Sequence, residues 1–323
     1  MTGFNRRQLL AASSLLWIPH LAFASEAYPS KSIRLTTPNS AGSGADGMAR
    51  RLADHMTRAV KQPVFVENLP GAGGVLGTEN LLRAQPDGYT IGLISSNYVV
   101  FPHLYKKFAF DALKDMTPIA GVASTPMVLI ARADLPASNV GELKALALKS
   151  PGKLTLGSSG NGTILHLMGM YMQEQGQFTL THVPYKGAGP VIPDLVSGTI
   201  DVAFFSYASV EGLVKQGRLK VLGVSSAKRM PSLPEVPAIA ESFPGCVLEA
   251  WYAVIGPKGM PKEIVQKLNE TITTIVQSDS FKGQIAAEGA VPAAMAPEAL
   301  MAFMRTEFTK HGSLVSRSGA VIQ

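Results

Sequence analysis

The sequence is poor in cysteine, in charged residues and in aromatic residues. Cys246 is its single cysteine, which excludes an internal disulfide. Charged residues make up 16% of the chain and aromatic residues 7%. The histidines do not have metal-ligand spacing, so we predict no metal and no cofactor. They are His20, His55, His103, His166, His182 and His311.

The chain also lacks a strong excess of one charge. Its formal charge is +6, from 29 basic and 23 acidic residues. The first 24 residues hold two arginines and no acid, so the remainder has 27 basic against 23 acidic residues, or +4. No cluster of lysine and arginine alternates with aromatic residues. Nucleic acid is therefore excluded as an expected partner.

The N-terminus has the pattern of a cleaved export signal. Arg6 and Arg7 precede an apolar run over residues 9–18, and Ala22-Phe23-Ala24 matches an A-x-A cleavage site. The run is shorter than the about 20 residues that a membrane-spanning helix needs. We predict a signal peptide over residues 1–24, by the general or the twin-arginine route, and a periplasmic mature protein.

Short β-rich runs alternate with longer segments of helical period, which predicts an α/β fold with largely parallel sheets. Met48, Leu52, Met56 and Val60 form one stripe of an amphipathic helix, and further helices are predicted from Leu76, Pro261 and Pro297 onward. Strands are predicted at 32–37, 63–68, 89–95, 126–132, 154–159, 181–185, 201–206, 220–226 and 252–257.

Two segments have the composition of crossings between lobes, at residues 116–124 and 224–239. They predict a discontinuous first lobe, 25–122 plus 226–323, and a second lobe at 123–225. Two α/β lobes joined by two strands leave a cleft, where small ligands bind preferentially.

The segment TTPNSAGSGADGMAR, residues 36–50, leads from a strand into a helix. Gly42, Gly44 and Gly47 match the G-x-G-x-x-G dinucleotide fingerprint, and Glu67 lies where a ribose-binding acid is expected. However, residues 38–41 separate the strand from the first glycine, which in nucleotide folds turns directly off the strand.

Two other interpretations of this loop stay open. It is either a plain surface loop or an anion site in which a helix N-terminus and nearby hydroxyls bind a ligand. Ser40 and Ser43 would supply hydroxyl donors, and Asp46 would either cap the helix or bind.

Three further polar loops follow predicted strands. One has Ser158, Ser159, Asn161 and Thr163 before a methionine-rich helix, and it lacks the lysine of a P-loop. A second has Tyr185, Lys186 and Gly187, and a third has Ser95 and Asn97. There is no G-x-S-x-G elbow, and His166 sits in an apolar helix where packing explains it better than base catalysis. Such loops suit a polar or anionic organic ligand better than a catalytic triad.

The chain resembles the tripartite tricarboxylate transporter substrate-binding proteins, or Bug-type periplasmic receptors. The resemblance covers nearly the whole mature chain and is carried by YPSKSIRLTTPNSAGSGADGMARRLA, PVFVENLPGAGGVLGTENLLRAQPDGYT, GSSGNGTILHL, HVPYKGAGPVIPDLVSGTIDVAF and WYAVIGPKGMPKEIVQKLN. It implies a type II-like, two-lobe periplasmic binding fold with a two-strand hinge, which closes on a small carboxylate. It also implies delivery to a membrane permease with one large and one small subunit.

The resemblance implies that the first loop binds the ligand carboxylate through its backbone and hydroxyls. In this sequence that role falls on Asn39, Ser40, Gly42, Ser43, Gly44 and Asp46. The chain departs from the family pattern at Asn39, Ala41 and Ser43, and at His311, where tryptophan is common. After DVAF, where many members have aspartate, it has Phe205 followed by Ser206. We therefore predict a carboxylate without an amino group, with an apolar or aromatic body beside Phe205.

The prediction from sequence is a non-enzymatic, monomeric receptor. One alternative is an exported NAD(P)-dependent oxidoreductase that uses the GSGADG loop and Glu67. Another is a carboxylate-sensing partner protein that has the same fold but does not serve transport.

Overall fold

The computed structural model describes residues 28–71, 74–105, 110–185, 187, 189–286 and 289–318. The predicted signal peptide lies outside these residues, and so does Lys186. Within them, no helix is both long enough and apolar enough to cross a membrane.

The first sheet has six strands in the order β11-β4-β10-β3-β1-β2. Its inner strands are apolar and fully buried, with Leu35, Leu93 and Val254 at 0% exposure. The bounds are β1 Ile33–Thr37, β2 Val64–Asn68, β3 Thr90–Ser95, β4 Met116–Thr125, β10 Ala250–Pro257 and β11 Val291–Met295.

The second sheet has five strands in the order β7-β6-β8-β5-β9. Its central strand β8 is almost wholly apolar and buried, as expected for a strand covered on both faces. The bounds are β5 Met127–Arg132, β6 Thr155–Ser158, β7 Thr181–Pro184, β8 Val202–Ser206 and β9 Leu219–Val224.

Both sheets are mixed, so the prediction of largely parallel sheets is wrong. β1 pairs in parallel with β2 and β3, and β6 does so with β7 and β8. β10 runs antiparallel to β3 and β4, and β5 runs antiparallel to β8 and β9. The physical reason is that β4 and β5 follow each other with only Pro126 between them, so the chain crosses directly from one sheet to the other.

Helices cover the faces of both sheets. The stripe predicted in the first helix is confirmed, since Met48, Leu52 and Met56 are buried against the first sheet. The bounds are α1 Gly44–Val60, α2 Val75–Leu82, α3 Asn97–Leu104, α4 Val140–Lys149, α5 Ile164–Gly176, α6 Val191–Ser197, α7 Tyr207–Lys215, α8 Ile239–Ser242, α9 Lys262–Gln277, α10 Asp279–Ala286 and α11 Pro297–Ser318.

The chain passes between the sheets at two places. The first is Pro126, and the second is the segment 225–249, whose Leu233, Val236 and Phe243 pack into the cores beside the second sheet. A hydrogen bond from Ser124 Oγ to the Glu249 carboxylate joins the two passages. The division into lobes at 122/123 and 225/226 stays a prediction, and the segment that follows its second boundary packs with the second sheet.

Candidate functional site

A cavity of about 310 Å³ lies where the loops of the two sheets meet. The first sheet contributes residues that follow β1 and β3 and residues of β10, while the second contributes residues of β5 and those around the ends of β6 and β8. The lining residues are Asn39, Gly42, Ser43, Gly44, Ala45, Ser95, Ser96, Asn97, Met127, Ser159, Thr163, Ile164, Leu165, Phe205, Ser206, Ser209, Ala250 and Tyr252.

Four helices begin at this cavity, two from each side. The N-cap residues of α1, α3, α5 and α7 all line it: Ser43, Ser96, Thr163 and Ser206. The first backbone N–H groups of a helix have no partner within the helix, and the macrodipole makes that end positive. The arrangement therefore concentrates hydrogen-bond donors and positive potential on one space.

Among the residues that the structure describes, none of those lining the cavity is an aspartate, glutamate, lysine, arginine or histidine. Phe205, Met127, Ile164 and Leu165 give it an apolar wall. The site can accept an anion through backbone dipoles and hydroxyls, while a ligand ammonium would meet no counter-charge.

The carboxylate of Asp46 organises the first loop from behind. Its Oδ2 accepts the Gly42 N–H at 2.9 Å, and its Oδ1 accepts the Asn68 amide at 2.9 Å and an Arg50 guanidinium N–H at 2.9 Å. Burial acts to raise the pKa of Asp46, but these hydrogen bonds outweigh it and the pKa lies below its ordinary value. Asp46 does not line the cavity, because its oxygens are engaged with the loop and its neighbours.

The rest of the first loop is held by hydrogen bonds within the loop and to Asn68. Ser43 caps α1 by accepting the Asp46 N–H at 3.3 Å, and Asn68 donates to the Asn39 carbonyl at 3.1 Å. Ser40 is exposed and does not line the cavity, whereas its carbonyl accepts the Ser43 N–H at 3.2 Å.

The acid expected for a nucleotide ribose has a structural partner. Glu67 lies on β2, and its carboxylate accepts a hydrogen bond from Arg34 of the neighbouring β1 at 2.8 Å. Glu67 does not line the cavity. Glu67, which supported a nucleotide interpretation of Gly42, Gly44 and Gly47, therefore forms a cross-strand ion pair instead of facing a ligand.

In the second loop, adjacent serines have different environments. Ser159 and Thr163 line the cavity, and the Ser159 hydroxyl donates to Thr163 Oγ1 at 3.1 Å. Ser158 is 1% exposed and faces away, with its Oγ 2.6 Å from His182 Nε2. Asn161 is exposed at the loop tip, outside the lining.

The described residues of the third loop, Tyr185 and Gly187, support the second loop and do not line the cavity. The Tyr185 hydroxyl donates to Asp194 at 2.6 Å, and burial together with this carboxylate raises the pKa of Tyr185 to about 12. The backbone N–H groups of Tyr185 and Gly187 donate to the carbonyls of Ser158 and Ser159. These contacts fasten the two loops together.

Several lining residues were missed from the sequence. Ser209 lies three residues after Ser206 on α7, and its hydroxyl is 2.6 Å from that of Ser206. Helical spacing of i, i+3 would have indicated it. Met127, Ala250 and Tyr252 come from the starts of β5 and β10, directly after the two passages between the sheets, and no glycine loop or turn signal marks them.

A larger depression of about 450 Å³ lies on the outer surface of the second sheet's side, lined by residues of α4 and α5 such as Leu148, Met170 and Glu174. No strand-to-helix loop opens into it. The smaller cavity is therefore the better candidate, because only there do several helix N-termini converge.

The chain matches a known protein family over most of its length. A family model described as the tripartite tricarboxylate transporter family receptor matches residues 48–320. BugT of Bordetella pertussis is 31% identical over 303 residues, which is 93% of this chain and 93% of BugT.

Two solved structures extend the likeness to the fold. Rpa4515 of R. palustris, solved with adipate, has a TM-score of 0.83 and 28% identity, and the match covers 90% of this chain and 98% of that one. MatC from Rhodopseudomonas palustris, solved with bound malate, has a TM-score of 0.76 and 26% identity, over 89% of this chain and all of MatC. This chain belongs to the tripartite tricarboxylate transporter receptor family of periplasmic solute-binding proteins.

Proposed function

We propose that this protein is a periplasmic receptor which binds a small organic carboxylate without an amino group, and delivers it to a membrane permease with one large and one small subunit. The observation that carries the proposal is the convergence of four helix N-termini on a cavity whose described lining has no charged side chain.

Each side of the cavity supplies part of the binding energy. On one side, the N-termini of α1 and α3 offer backbone N–H donors with the hydroxyls of Ser43 and Ser95. On the other, α5 and α7 do so with Thr163 and Ser206. Approach of the two lobes removes water from the carboxylate, which strengthens its charge-assisted hydrogen bonds. Closure would also give the permease a distinct shape to recognise.

Phe205 determines which kind of carboxylate the cavity accepts. Phe205 is 3% exposed and lines the cavity at the position where many family members have an aspartate. A charged amine placed there would lose its hydration without an opposite charge to compensate. Apolar or aromatic carbon atoms would instead pack on Phe205, Met127 and Leu165. Adipate and malate, the ligands of the two solved relatives, also lack an amino group.

The test is native mass spectrometry of the purified protein for a co-purified small acid, followed by calorimetry with adipate, malate, aspartate and glutamate. We expect an acid without an amino group to bind and the amino acids not to bind. Thr163→Val removes a hydroxyl that lines the cavity and also donates to the Gly160 carbonyl at 2.8 Å, and it should weaken binding by at least about tenfold, the factor of one hydrogen bond. Thr179→Val on the outer depression is the matched control. Binding of the amino acids alone would overturn the proposal.

The same mass measurement tests export, because cleavage after Ala24 leaves a mature chain that begins at Ser25. Uptake of the bound acid by cells with and without the receptor tests delivery. Uptake that does not depend on the receptor would favour the sensing alternative.

A further inference from the structure

Two stacked imidazoles, that of the buried His166 and that of the half-buried His182, lie directly behind the second loop, and the function proposed above does not use them. His166 on α5 and His182 on β7 stack with ring centroids 4.0 Å apart and an angle of 19° between their planes. His166 is 5% exposed. The loop of residues 158–163 presents Ser159 and Thr163 to the cavity. Ser158 near its start contacts His182, and Gly162 near its end contacts His166.

At one end of the loop, the Gly162 N–H donates to His166 Nδ1 at 3.1 Å. An imidazole nitrogen accepts a hydrogen bond only when it carries no proton. This contact therefore requires His166 to be neutral, with its proton on Nε2. Gly162 has a left-handed backbone conformation, with φ +73°. It lies in a tight turn in which the Thr163 N–H donates to the Gly160 carbonyl at 3.3 Å.

At the other end, His182 Nε2 is 2.6 Å from Ser158 Oγ, which also accepts the Gly160 N–H at 3.2 Å. His182 can donate to Ser158 or accept from it, so this contact survives a change in its own protonation. The contact that depends on protonation is the one at His166.

Building on the proposed function, we propose that His166 is a positioning residue for the ligand. Its neutral imidazole holds the Gly162 N–H and thereby the turn that aims Ser159 and Thr163 at the carboxylate. Protonation would place Nδ1–H against Gly162 N–H, release the turn and lower ligand affinity.

The surroundings favour the neutral form at pH 7. Strands β6 and β8 carry no titratable side chain toward α5, and on α3 it is Leu104 that packs against Gly162. His103 of α3 is bonded to the Phe308 carbonyl. On α11, Arg317 pairs with Glu174 two turns along α5 from His166. Burial, and then His182, lower the pKa of His166 to about 4.

The direction of the pH effect follows from this lowered pKa. An open turn that admits water to His166 relieves the burial that lowers its pKa, so the pKa rises toward the ordinary value near 6.5 and the open form takes up the proton first as the pH falls. The closed turn is therefore fully favoured above about pH 6.5, and its advantage is lost between that pH and about 4.

The experiment uses the mature full-length chain labelled with ¹⁵N. In the free protein at pH 7 we expect His166 Nδ1 to be unprotonated and the Gly162 amide to exchange slowly with solvent. His166→Phe keeps a ring in the stack but removes the acceptor, and should speed Gly162 exchange about tenfold and weaken carboxylate binding by a similar factor. His55→Phe is the control, because His55 lies on α1, half-buried beside Phe281 of α10 and away from the second loop.

A second variant separates positioning from packing. His166→Asn places an amide oxygen near the position of Nδ1, and this oxygen accepts a hydrogen bond without titrating. We expect it to keep slow Gly162 exchange at pH 7 and to remove the loss of protection between pH 6.5 and 4.5. Gly162 exchange in His166→Phe that equals wild type, or an acid-induced loss in His166→Asn that equals wild type, would overturn the inference.

The readout at Gly162 needs no ligand, so the two proposals fail separately. If none of adipate, malate, aspartate and glutamate binds, the proposed function fails while the exchange data still decide whether His166 holds the turn. If an acid binds but its affinity is the same in wild type and His166→Phe, the positioning role fails and the receptor function stands.

Discussion

Neighbouring polar residues in one loop have different environments in this protein. Ser158 and Ser159 are adjacent, yet Ser158 is buried against His182 and Ser159 lines the cavity. Successive side chains at the end of a β-strand point to opposite sides, which explains the difference. Asp46 and Tyr185 likewise face away from the cavity and hold loops from behind. Some polar residues of these loops therefore hold the loop in place, while others line the cavity.

At the residue scale, we predict that Gly162→Ala destabilises the protein more than Gly217→Ala. Both glycines have positive φ, +73° and +68°. A Cβ at Gly162 would lie 2.4 Å from a Leu104 methyl, whereas one at Gly217 would meet no atom within 4 Å. Urea unfolding should show a loss of about 1 kcal/mol at Gly217 from backbone strain and of about 2–4 kcal/mol at Gly162, where overpacking adds to it. Equal losses would contradict the contact with Leu104.

At the element scale, the feature that distinguishes the cavity is the helix N-terminus. The Ser206 hydroxyl lies 2.6 Å from that of Ser209 on α7. The N-cap side chains of α3, α5 and α7 nevertheless make no capping hydrogen bond with a backbone N–H of their own helix, in contrast to Ser43 on α1. Those hydroxyls are therefore free of the capping role. Four positive helix ends around one cavity replace the arginine or lysine that many anion sites use.

This arrangement predicts opposite effects of Ser206→Asp on stability and on binding. An aspartate is a good N-cap and favours the positive helix end, so the free energy of unfolding should stay equal or rise by up to about 1 kcal/mol. The same charge would repel a bound carboxylate and weaken its affinity about ten- to a hundredfold, measured by calorimetry. Ser206→Asn has the same size without the charge and should bind more tightly than Ser206→Asp. Equal affinities for the two variants would show that α7 does not face the ligand charge.

At the scale of the whole molecule, two helices tie the two sheets together. Val100 and Leu104 of α3 and Leu314 and Val315 of α11 belong to the core beside the second sheet, although α3 follows a strand of the first. Leu300 and Met304, near the other end of α11, pack beside the first sheet. The lobes therefore share buried surface besides the two chain crossings.

We accordingly predict that the mature protein unfolds in urea as one cooperative unit. Trp251 on β10 is the one tryptophan outside the predicted signal peptide, so its fluorescence reports the first sheet, while far-ultraviolet circular dichroism reports both. The two curves should coincide. Leu314→Ala should lower the stability by about 2–5 kcal/mol, and Leu148→Ala, at a 54% exposed position, should have little effect. Two separate transitions would mean that α3 and α11 do not couple the lobes.

Two strands, β4 and β11, were not predicted from the sequence, and both lack a clear strand pattern. β4 contains proline, glycine and several alanines, so it read as a crossing segment, and only its place between β10 and β11 makes it a strand. β11 is a short edge strand with Pro292, a residue that edge strands tolerate because its missing N–H is not needed there. In both cases the partner strands decide the structure, and local propensity does not.

The sequence by itself determined the α/β class, the family, most strands and the four polar loops after β1, β3, β6 and β7, because strand alternation, helix stripes and glycine placement are local signals. Only the tertiary structure decided which side chains of those loops reach the cavity, that Tyr252 and Ser209 join them, and that Glu67 is paired with Arg34. The physical reason is that side-chain direction and pairing depend on neighbours distant in the chain, such as Asn68 for the first loop and His182 for the second.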